Sequence, residues 1–536
     1  MLLVFQVGYE SILPCVKILP HYSMHWLKDL VIHPFLIAAY PVLALLAYNV
    51  ETVDAVVALR SLLLSIALAG VLLLIFRLLF KSWKKAGLLT SLTLIFFFSY
   101  GHLYAAARVL NSSILPLGRH RLLVPLFLIV WIVLIWLIAR YRGDLRTGTQ
   151  TVNIIAIIAL LFPLFSFIQY GVNLRAAPSA SSQSEALAQP LTVSQKPDIY
   201  YIILDGYARD DVLQDRWKYD NSDFLQALEE RGFYIARCSQ SNFSKTQLSI
   251  ASSLNMEYLQ KLDPLYNDPN KRTRAALPAL TRNGAARRYL EGLGYKTIGF
   301  ESGYGWTDLR DADIFLTPEG GYREHVSLLG GANEFEVMLM DTSALILVTD
   351  ATLKLPAMLK PDLQSHERML REHVLYILDT LPKVPRLPGP KFVFAHVVSP
   401  HNPYIFGPNG EETYDDMDTI VGYTNQVTYI NKRILPIVDQ IIAQSETPPI
   451  IILQGDHGWA RDEPERHMRI LNAYYLPGGG DQGIYDSISP VNTFRLIFNR
   501  YFDAGFPLLD DVSYYSKMPS PYGYTLIVDD RAGCEK

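Results

Sequence analysis

Acidic, imidazole and hydroxyl side chains occur at separated points in the second half of this 536-residue chain, and together they could hold a metal ion. Asp205 follows the apolar run Ile199–Leu204, and Asp456 with His457 follows the apolar run Pro449–Gln454. Carboxylate and imidazole ligands without a thiolate suit Zn²⁺ or Mn²⁺. Asp-Gly alone is commonly a turn and Asp-His-Gly alone is a weak signal, but two such groups, each ending a buried strand, favour a metal site.

The hydroxyl of Thr246 is the candidate nucleophile. Polar residues precede it and a run of small residues follows it, so the sequence predicts a helix that begins near Thr246. Free backbone N–H groups at a helix N-terminus attract anions, and coordination to a metal favours the alkoxide of a hydroxyl. Taken alone, the segment is better explained by an ordinary helix cap. Lys245, Ser244 and Asn242 could hold phosphate oxygens or could be solvated loop residues.

Three further residues are candidates for substrate binding. His401 follows the apolar run Lys391–Val398, where it could bind the transferred group or protonate a leaving oxygen. Arg466 and His467 follow the Asp-His pair and could hold substrate oxygens, or could have no such role. His396 lies inside the apolar run and fits a buried core histidine or one that supports a metal ligand.

The elements that must position these residues form an α/β pattern after about residue 197. Short apolar runs that end in polar turns alternate with amphipathic helical stretches such as Asp223–Arg231 and Ala285–Leu293. This pattern predicts a mostly parallel sheet covered on both faces, and ligands bind beyond the carboxyl ends of such strands. The predicted strands are Ile199–Leu204, Lys296–Phe300, Lys391–Val398, Pro449–Gln454 and Leu471–Leu476.

The first part of the chain is built differently, because long apolar runs dominate it. About 20 helical residues cross the hydrocarbon layer of a membrane, and five runs reach about that length. They are Val31–Val50, Ser61–Phe80, Leu88–Ala107, Leu122–Ala139 and Asn153–Val172. A buried helix of a soluble protein could explain one such run but explains five in succession poorly. The sequence therefore predicts a five-helix transmembrane bundle over 1–172, a flexible linker over 173–196 and an outer domain over 197–536.

Charges in the short loops predict the orientation of the bundle. Lys and Arg are enriched in loops that stay cytoplasmic, which applies to Lys81–Lys85 and to Arg140–Arg146. The acidic connection Glu51–Asp54 fits the outer side, whereas Arg108, Arg119 and Arg121 in the third connection depart from the rule. With a cytoplasmic start and five crossings, the outer domain is predicted to be extracytoplasmic in a multi-pass protein of the cell membrane.

Composition excludes several other classes of protein. Half of the residues are hydrophobic and 19% are charged, and the net charge of −4 comes without a basic stripe, which argues against a nucleic-acid partner. Cys15, Cys238 and Cys534 are odd in number and show no CxxC spacing. Neither a disulfide framework nor a thiolate metal site is therefore predicted.

The order of these motifs resembles the alkaline phosphatase superfamily, and within it the sulfatase-like branch. The layout of helices, linker and outer domain is similar to that of lipoteichoic acid synthase and the lipid A phosphoethanolamine transferases. The resemblance implies an alkaline-phosphatase-like α/β domain in which Thr246 forms a phosphothreonine intermediate and His401 and His467 bind substrate. It also implies one catalytic Mn²⁺ or Zn²⁺ held by four residues: Asp205, Thr246, Asp456 and His457.

Departures from the superfamily patterns narrow the prediction. The chain lacks the Cys/Ser-x-Pro-Ser/Ala-Arg motif of sulfatases, which argues against sulfate ester hydrolysis. We place no second set of Asp and His ligands, so one metal is predicted rather than two. The phosphoethanolamine transferases carry several disulfides, a framework that Cys238 and Cys534 do not reproduce.

The function expected from the sequence is that of a membrane-anchored, metal-dependent transferase. It would move a phospho-alcohol head group from a membrane phospholipid onto Thr246 and then to a glycan or lipid acceptor. One alternative is a membrane-anchored phosphodiesterase, phosphatase or other sulfatase-like hydrolase, with water as the final acceptor. Another is a non-catalytic lipid-binding or regulatory protein, against which the complete set of predicted metal ligands speaks.

Overall fold

The structure is a computed structural model that describes residues 30–50, 55–109, 119–176, 196–271, 274, 276–318, 334–348, 366–413, 419–517 and 520–528. Its first part is helical, as predicted. A helix lies at each of the five predicted positions: α1 (His33–Tyr48), α2 (Leu59–Phe80), α3 (Trp83–Val109), α4 (His120–Arg140) and α5 (Arg146–Ala176).

Four of these helices, α2 to α5, are long and apolar enough to cross a membrane, judged over the described residues by length and composition. Helix α1 has 16 residues and is about 24 Å long, so it is shorter than the predicted span. Its start is fixed by Asn153 of α5, whose side-chain oxygen accepts from the backbone N–H of His33 at 2.9 Å. Helix α5 continues to Ala176, four residues into the predicted linker, and residues 177–195 lie outside the described ranges.

The second part of the chain contains the predicted α/β sheet. Within the described residues, seven strands form it in the order β2-β7-β6-β1-β5-β3-β4. All its pairings are parallel except those of β7, which runs antiparallel to both β2 and β6. The strands are β1 (Ile199–Leu204), β2 (Phe233–Ile235), β3 (Lys296–Phe300), β4 (Ile314–Leu316), β5 (Lys391–Val397), β6 (Ile450–Gln454) and β7 (Asn472–Tyr475).

The central strand β1 is apolar throughout because helices cover both faces of the sheet. Tyr200, Ile202 and Leu204 belong to one core cluster, whereas Tyr201 and Ile203 belong to the cluster on the opposite face. All five side chains are completely buried. A strand buried in this way has a fixed register, which also fixes the position of the polar residue that follows it.

Helices of the outer domain pack on these two faces. The first face carries α6 (Asp210–Trp217), α7 (Ser222–Glu230), α13 (His366–Thr380) and α14 (Thr419–Gln444). The second face carries α8 (Thr246–Asn255), α11 (Ala285–Gly292) and α16 (Pro490–Phe502). The outer domain also contains the α-helices α9 (Leu259–Leu262), α10 (Leu277–Arg282), α12 (Glu334–Thr342) and α15 (Pro464–His467) and a separate hairpin of β8 (Ser513–Tyr515) and β9 (Thr525–Ile527).

Helix α12 lies between β4 and β5 in the chain but packs against the helical bundle. Phe335 is completely buried in a cluster with Val42 and Val57, and Glu336 forms an ion pair with Arg60 of α2. The backbone N–H of Ala344, just after α12, donates to the carbonyl of Phe97 at 2.7 Å. The contacts to Val57 and Arg60 lie at the end of the bundle that the charge pattern predicts to be extracytoplasmic.

Cys238 forms a disulfide bond, a single bond that the absence of a predicted disulfide framework did not anticipate. The other two cysteines of the chain, Cys15 and Cys534, lie outside the described residues. Counting cysteines and inspecting their spacing does not detect a single bond between positions far apart in sequence. A disulfide is typical of an oxidising compartment outside the cytoplasm.

Candidate active site

Polar side chains from three elements converge on one atom, Nε2 of His457, at the carboxyl ends of β1 and β6. The hydroxyl oxygen of Thr246 lies 3.3 Å from it. Oδ1 of Asp205 lies 3.7 Å from it, and Oδ2 of Asp456 lies 3.5 Å from it. The structure therefore brings together the four residues that the sequence predicted to share a metal ion.

A hydrogen bond to the backbone fixes the orientation of the His457 ring, so that Nε2 faces the other three residues. Nδ1 lies 2.9 Å from the carbonyl oxygen of Gly458. A carbonyl oxygen can only accept, so Nδ1 carries a proton, and in the neutral ring Nε2 keeps its lone pair. A lone pair at Nε2 is what a metal ion needs from a histidine ligand.

The two carboxylate oxygens nearest His457 Nε2 have no hydrogen-bond partner among the described residues. They are Oδ1 of Asp205 and Oδ2 of Asp456, and both are buried. The other oxygen of Asp456 accepts from the backbone N–H of Gly206 at 2.9 Å. Uncompensated buried carboxylate oxygens are costly, so a cation between them would stabilise the arrangement. Ligand atoms of a tetrahedral Zn²⁺ site with bonds of about 2.0–2.2 Å are about 3.3–3.6 Å apart, close to the distances found here.

Local structure holds Thr246 at this position. Thr246 is the first residue of α8, and the preceding loop is tied to the loop that follows β6. The hydroxyl of Ser241 donates to the backbone carbonyl of Asp456, and the backbone N–H of Ser241 donates to the carbonyl of Met468 at 2.7 Å. Nε2 of His467 donates to the carbonyl of Ser244 at 3.1 Å. Ser241 thus positions the candidate nucleophile, a role that the sequence gave no reason to assign.

Neighbouring imidazoles favour the ionised form of Asp205. Burial alone would raise the pKa of this carboxyl, but His401, His396 and His457 outweigh burial and lower the pKa below its usual value. Oδ2 of Asp205 lies 3.2 Å from Nε2 of His396, which confirms His396 as a buried residue that supports a candidate ligand. An ionised carboxylate is the form that binds a cation.

His401 lies at the edge of the same cluster. One atom each of Asp205, His401 and His457 lie within 4.8 Å of one another, so His401 could also reach a metal. However, its Nδ1 contacts the carbonyl oxygen of Asn402, and its Nε2 accepts from Arg461 at 3.2 Å. Burial lowers the pKa of His401, which is consistent with a neutral ring that accepts from Arg461. Because its lone pair is already used, His401 is less suited to be a metal ligand than His457, and its predicted contact with substrate stays a prediction.

The cluster opens into a cavity of about 570 Å³. Among the described residues, its lining contains cationic side chains and histidines but no acidic residue. Thr246, His401, His457 and His467 contribute to the lining together with Trp306 and Tyr515. Four cationic side chains complete the charged part of the lining: Lys245, Arg274, Arg461 and Lys517. Such a cavity suits an anionic group, because several positive charges focus the field on a small space.

His467 reaches the cavity, but both of its nitrogens are engaged by the backbone. Nε2 donates to Ser244, and Nδ1 accepts from the backbone N–H of Ala460 at 3.5 Å. Burial, followed by the nearby His457, holds the pKa of His467 well below its usual value. Its first role is therefore to hold the loop before Thr246, and the predicted contact with substrate stays a prediction.

Asn242 is a structural residue, and its prediction as a phosphate-binding residue is corrected. It is completely buried, and its Nδ2 donates to Ser489 at 2.9 Å and to the carbonyl of Val512 at 3.0 Å. Its Oδ1 accepts from the backbone N–H of Val491 at 2.8 Å. The sequence could not separate this role from a solvated loop position, because most of the partners come from the last 50 residues of the chain.

Replacement of Asn242 should therefore reduce stability rather than substrate affinity. We expect Asn242→Ala to lower the free energy of unfolding by about 2–4 kcal/mol, since buried partners lose their hydrogen bonds. Thermal unfolding of the purified variant measures this change. The KM of the remaining folded enzyme should stay at the wild-type value, and a raised KM without lost stability would contradict the structural role.

Arg466 does not line the cavity, and its prediction as a substrate-binding residue is also corrected. Its Nε contacts Glu463 at 3.1 Å, and its Nη2 lies 3.9 Å from Asp215. Arg461 lines the cavity where Arg466 was expected, and its guanidinium lies 4.3 Å from the centre of the Trp459 ring. Both arginines closely follow the Asp-His pair, and only the path of the intervening loop decides which one faces the cavity.

No protein-family model matches the chain, and no curated protein matches its sequence. Solved structures do match. The C-terminal periplasmic domain of EcEptC from Escherichia coli is 12% identical, with a TM-score of 0.38 over 64% of this chain and 96% of that chain. A protein of the alkaline phosphatase superfamily from Vibrio parahaemolyticus is 13% identical, with a TM-score of 0.37 over 61% and 75%. The integral membrane protein lipooligosaccharide phosphoethanolamine transferase A from Neisseria meningitidis is 13% identical, with a TM-score of 0.33 over 88% and 94%.

Proposed function

We propose that this protein is a membrane-anchored phosphotransferase that moves a phospho-alcohol head group from a phospholipid to a glycan or lipid acceptor. The single observation that carries the proposal is the approach of a hydroxyl, two carboxylates and an imidazole to one point beside a cationic cavity. A hydroxyl in such a setting is an activated nucleophile rather than a helix cap. Helices that are long and apolar enough to cross a membrane would hold the enzyme at the surface that carries its donor.

Asp205, Thr246, Asp456 and His457 would hold one divalent cation, Zn²⁺ or Mn²⁺. The fit rests on the two unpartnered carboxylate oxygens and on the free lone pair of His457. When bound, the cation would supply Lewis-acid stabilisation of negative charge on the reacting oxygens. His396 supports this set by its contact with Asp205.

The residues of the chain divide the transfer into two balanced displacements. In the first, Oγ1 of Thr246 forms a bond to phosphorus, the bond from phosphorus to the diacylglycerol oxygen breaks, and diacylglycerol leaves with the proton. In the second, the oxygen of an acceptor hydroxyl forms the new bond to phosphorus, the bond from phosphorus to Oγ1 of Thr246 breaks, and the acceptor's proton returns to Thr246. Arg461 and Lys245 are suited to bind the non-bridging phosphoryl oxygens, because both are cationic and both line the cavity.

A head-group transfer assay tests the proposal directly. The full-length protein is placed in lipid nanodiscs that contain a phospholipid labelled in its head group, together with Zn²⁺ or Mn²⁺. We expect metal-dependent formation of diacylglycerol and transfer of the label to an added glycolipid. Release of labelled head group to water without transfer would favour the phosphodiesterase alternative, and no diacylglycerol under any metal would overturn the proposal.

Arg461 and Arg466 provide a matched pair for substrate binding. We expect Arg461→Ala to lower kcat/KM by about 10–100-fold, since a charge-assisted hydrogen bond contributes about 1.5–3 kcal/mol. Arg466→Ala removes the same charge outside the cavity and should leave kcat/KM close to the wild-type value. The measurement is steady-state diacylglycerol release from the same nanodiscs. Equal losses in both variants would show that general charge, and not a contact in the cavity, is responsible.

A further inference from the structure

A chain of buried polar side chains runs away from the candidate metal site behind Asp205. It begins at His396, whose Nε2 lies 3.2 Å from Oδ2 of Asp205. On the other side of the ring, Nδ1 of His396 lies 2.8 Å from Oγ1 of Thr307. Oγ1 of Thr307 lies 3.2 Å from Oγ of Ser302, whose hydroxyl donates to Oδ1 of Asp308 at 2.7 Å.

Every member of this chain is buried, and one loop supplies three of them. Ser302, Thr307 and Asp308 follow β3, which is the second neighbour of β1 in the sheet. None of these three side chains is more than about one-hundredth exposed. The loop closes on itself, because the backbone N–H of Ser302 also donates to Oδ1 of Asp308, at 3.0 Å. Buried polar networks of this kind fix the geometry of what they contact, provided that their members are paired.

The positions of the protons along this series of side chains follow from which atoms can donate a hydrogen bond. The carboxylate of Asp308 can only accept, so the proton of Ser302 points towards it. At the other end, Asp205 is an acceptor, so Nε2 of His396 must carry a proton to face it favourably. In the neutral ring Nδ1 of His396 then accepts from Thr307, whose hydroxyl approaches Nδ1 more closely than it approaches Ser302 or the carbonyl of Tyr304.

We infer that Thr307 is a positioning residue for the metal site. Its hydroxyl holds His396 in the tautomer and ring orientation that face Oδ2 of Asp205, which leaves Oδ1 of Asp205 directed towards His457. Asp308 accepts from Ser302 and so holds the end of this series of side chains that is farthest from Asp205. The inference rests on the proposed metal-dependent function, and it assigns a role to a residue that touches neither the predicted metal nor the cavity. Partners of this kind, one step removed from a ligand, commonly alter metal affinity by about 10–100-fold.

The test compares metal binding by full-length variants in detergent. Thr307→Val removes the hydroxyl while keeping the shape, and we expect its Zn²⁺ dissociation constant to rise by about 10–100-fold in calorimetric titration of the metal-free protein. Thr307→Ser restores a hydroxyl and should recover affinity close to that of the wild type. Thr493→Val is the matched control, because Thr493 is also completely buried and its hydroxyl contacts Tyr474 at 2.8 Å, in a contact that does not involve the candidate ligands.

The outcomes separate this inference from the function it rests on. If the wild type and Thr307→Val bind Zn²⁺ equally well, the role of Thr307 is overturned and the proposed function still stands. Weakened binding in Thr493→Val to the same extent would also overturn it, since loss of any buried hydroxyl would then suffice. Failure of the wild type to bind Zn²⁺ or Mn²⁺ would instead remove the proposed metal site, and with it this inference. Thermal unfolding of the metal-free variants checks that the comparison is between folded proteins.

Discussion

Thr246→Ala protein should release diacylglycerol about 10⁴-fold or more slowly than the wild type, because the variant lacks the atom that forms the bond to phosphorus. Thr246 is the first residue of α8 and is partly buried, so alanine fits there with little cost to the fold. Its hydroxyl oxygen lies 3.3 Å from Nε2 of His457 and has no other side-chain partner among the described residues. Removing it therefore leaves no other buried side chain without a hydrogen-bond partner. The measurement is head-group release in nanodiscs under saturating metal.

Thr246→Ser is the matched control, because serine keeps a hydroxyl at nearly the same place. We expect it to retain measurable transfer, whereas alanine does not. Mass spectrometry of protein quenched during turnover should find the phospho-alcohol group on the peptide that contains Thr246. Unchanged activity in Thr246→Ala, or label trapped on a different residue, would contradict the proposed nucleophile.

Asp456→Asn should cost the protein most of its metal affinity. Asp456 is completely buried, and asparagine can still accept from the N–H of Gly206 through the oxygen that replaces Oδ1. The substitution removes the negative charge next to His457 and puts an N–H₂ donor where a cation would sit. We expect activity to fall on the order of 10³-fold, since a bound cation contributes several kcal/mol to transition-state stabilisation. Elemental analysis of the purified protein should show metal well below one ion per chain.

Asp462→Asn provides the control for that experiment. Asp462 lies six residues later, its side chain is 69% exposed, and its partner is Arg216 on the surface. We expect wild-type metal content and activity from it. Normal metal content in Asp456→Asn would show that the two carboxylates and the imidazole do not hold the ion, and the proposed chemistry would have to be abandoned.

The convergence of the candidate site residues could be predicted because strand ends are easy to recognise in a doubly covered sheet. The apolar runs before Asp205 and Asp456 define closely where each strand ends. Because the two strands are parallel neighbours, both ends lie at the same edge of the sheet. The position of Thr246 followed from the change from polar to small residues at the start of α8. In each case a local pattern, read over about ten residues, was sufficient.

Other features depend on contacts between distant parts of the chain. Asn242 is fixed by residues about 250 positions later, and nothing in its own segment distinguishes a buried amide from a solvated one. Arg461 and Arg466 differ only in the path of a loop. The antiparallel direction of β7 has no signature in its composition, because an apolar strand has the same sequence pattern in either direction. Residue types predicted which side chains converge at the candidate site better than they predicted the residues that support those side chains.

The packing of α12 has a practical consequence for anyone who isolates the outer domain by cutting the chain near residue 196. Phe335 has no exposed surface in the intact protein because the helical bundle covers it. A fragment that begins after the helices would present Phe335 and its neighbours Met338 and Leu339 to water, next to Glu336 without its arginine. Such a fragment would tend to bind detergent or self-associate through this patch, and trimming α12 from the expression clone should make it better behaved.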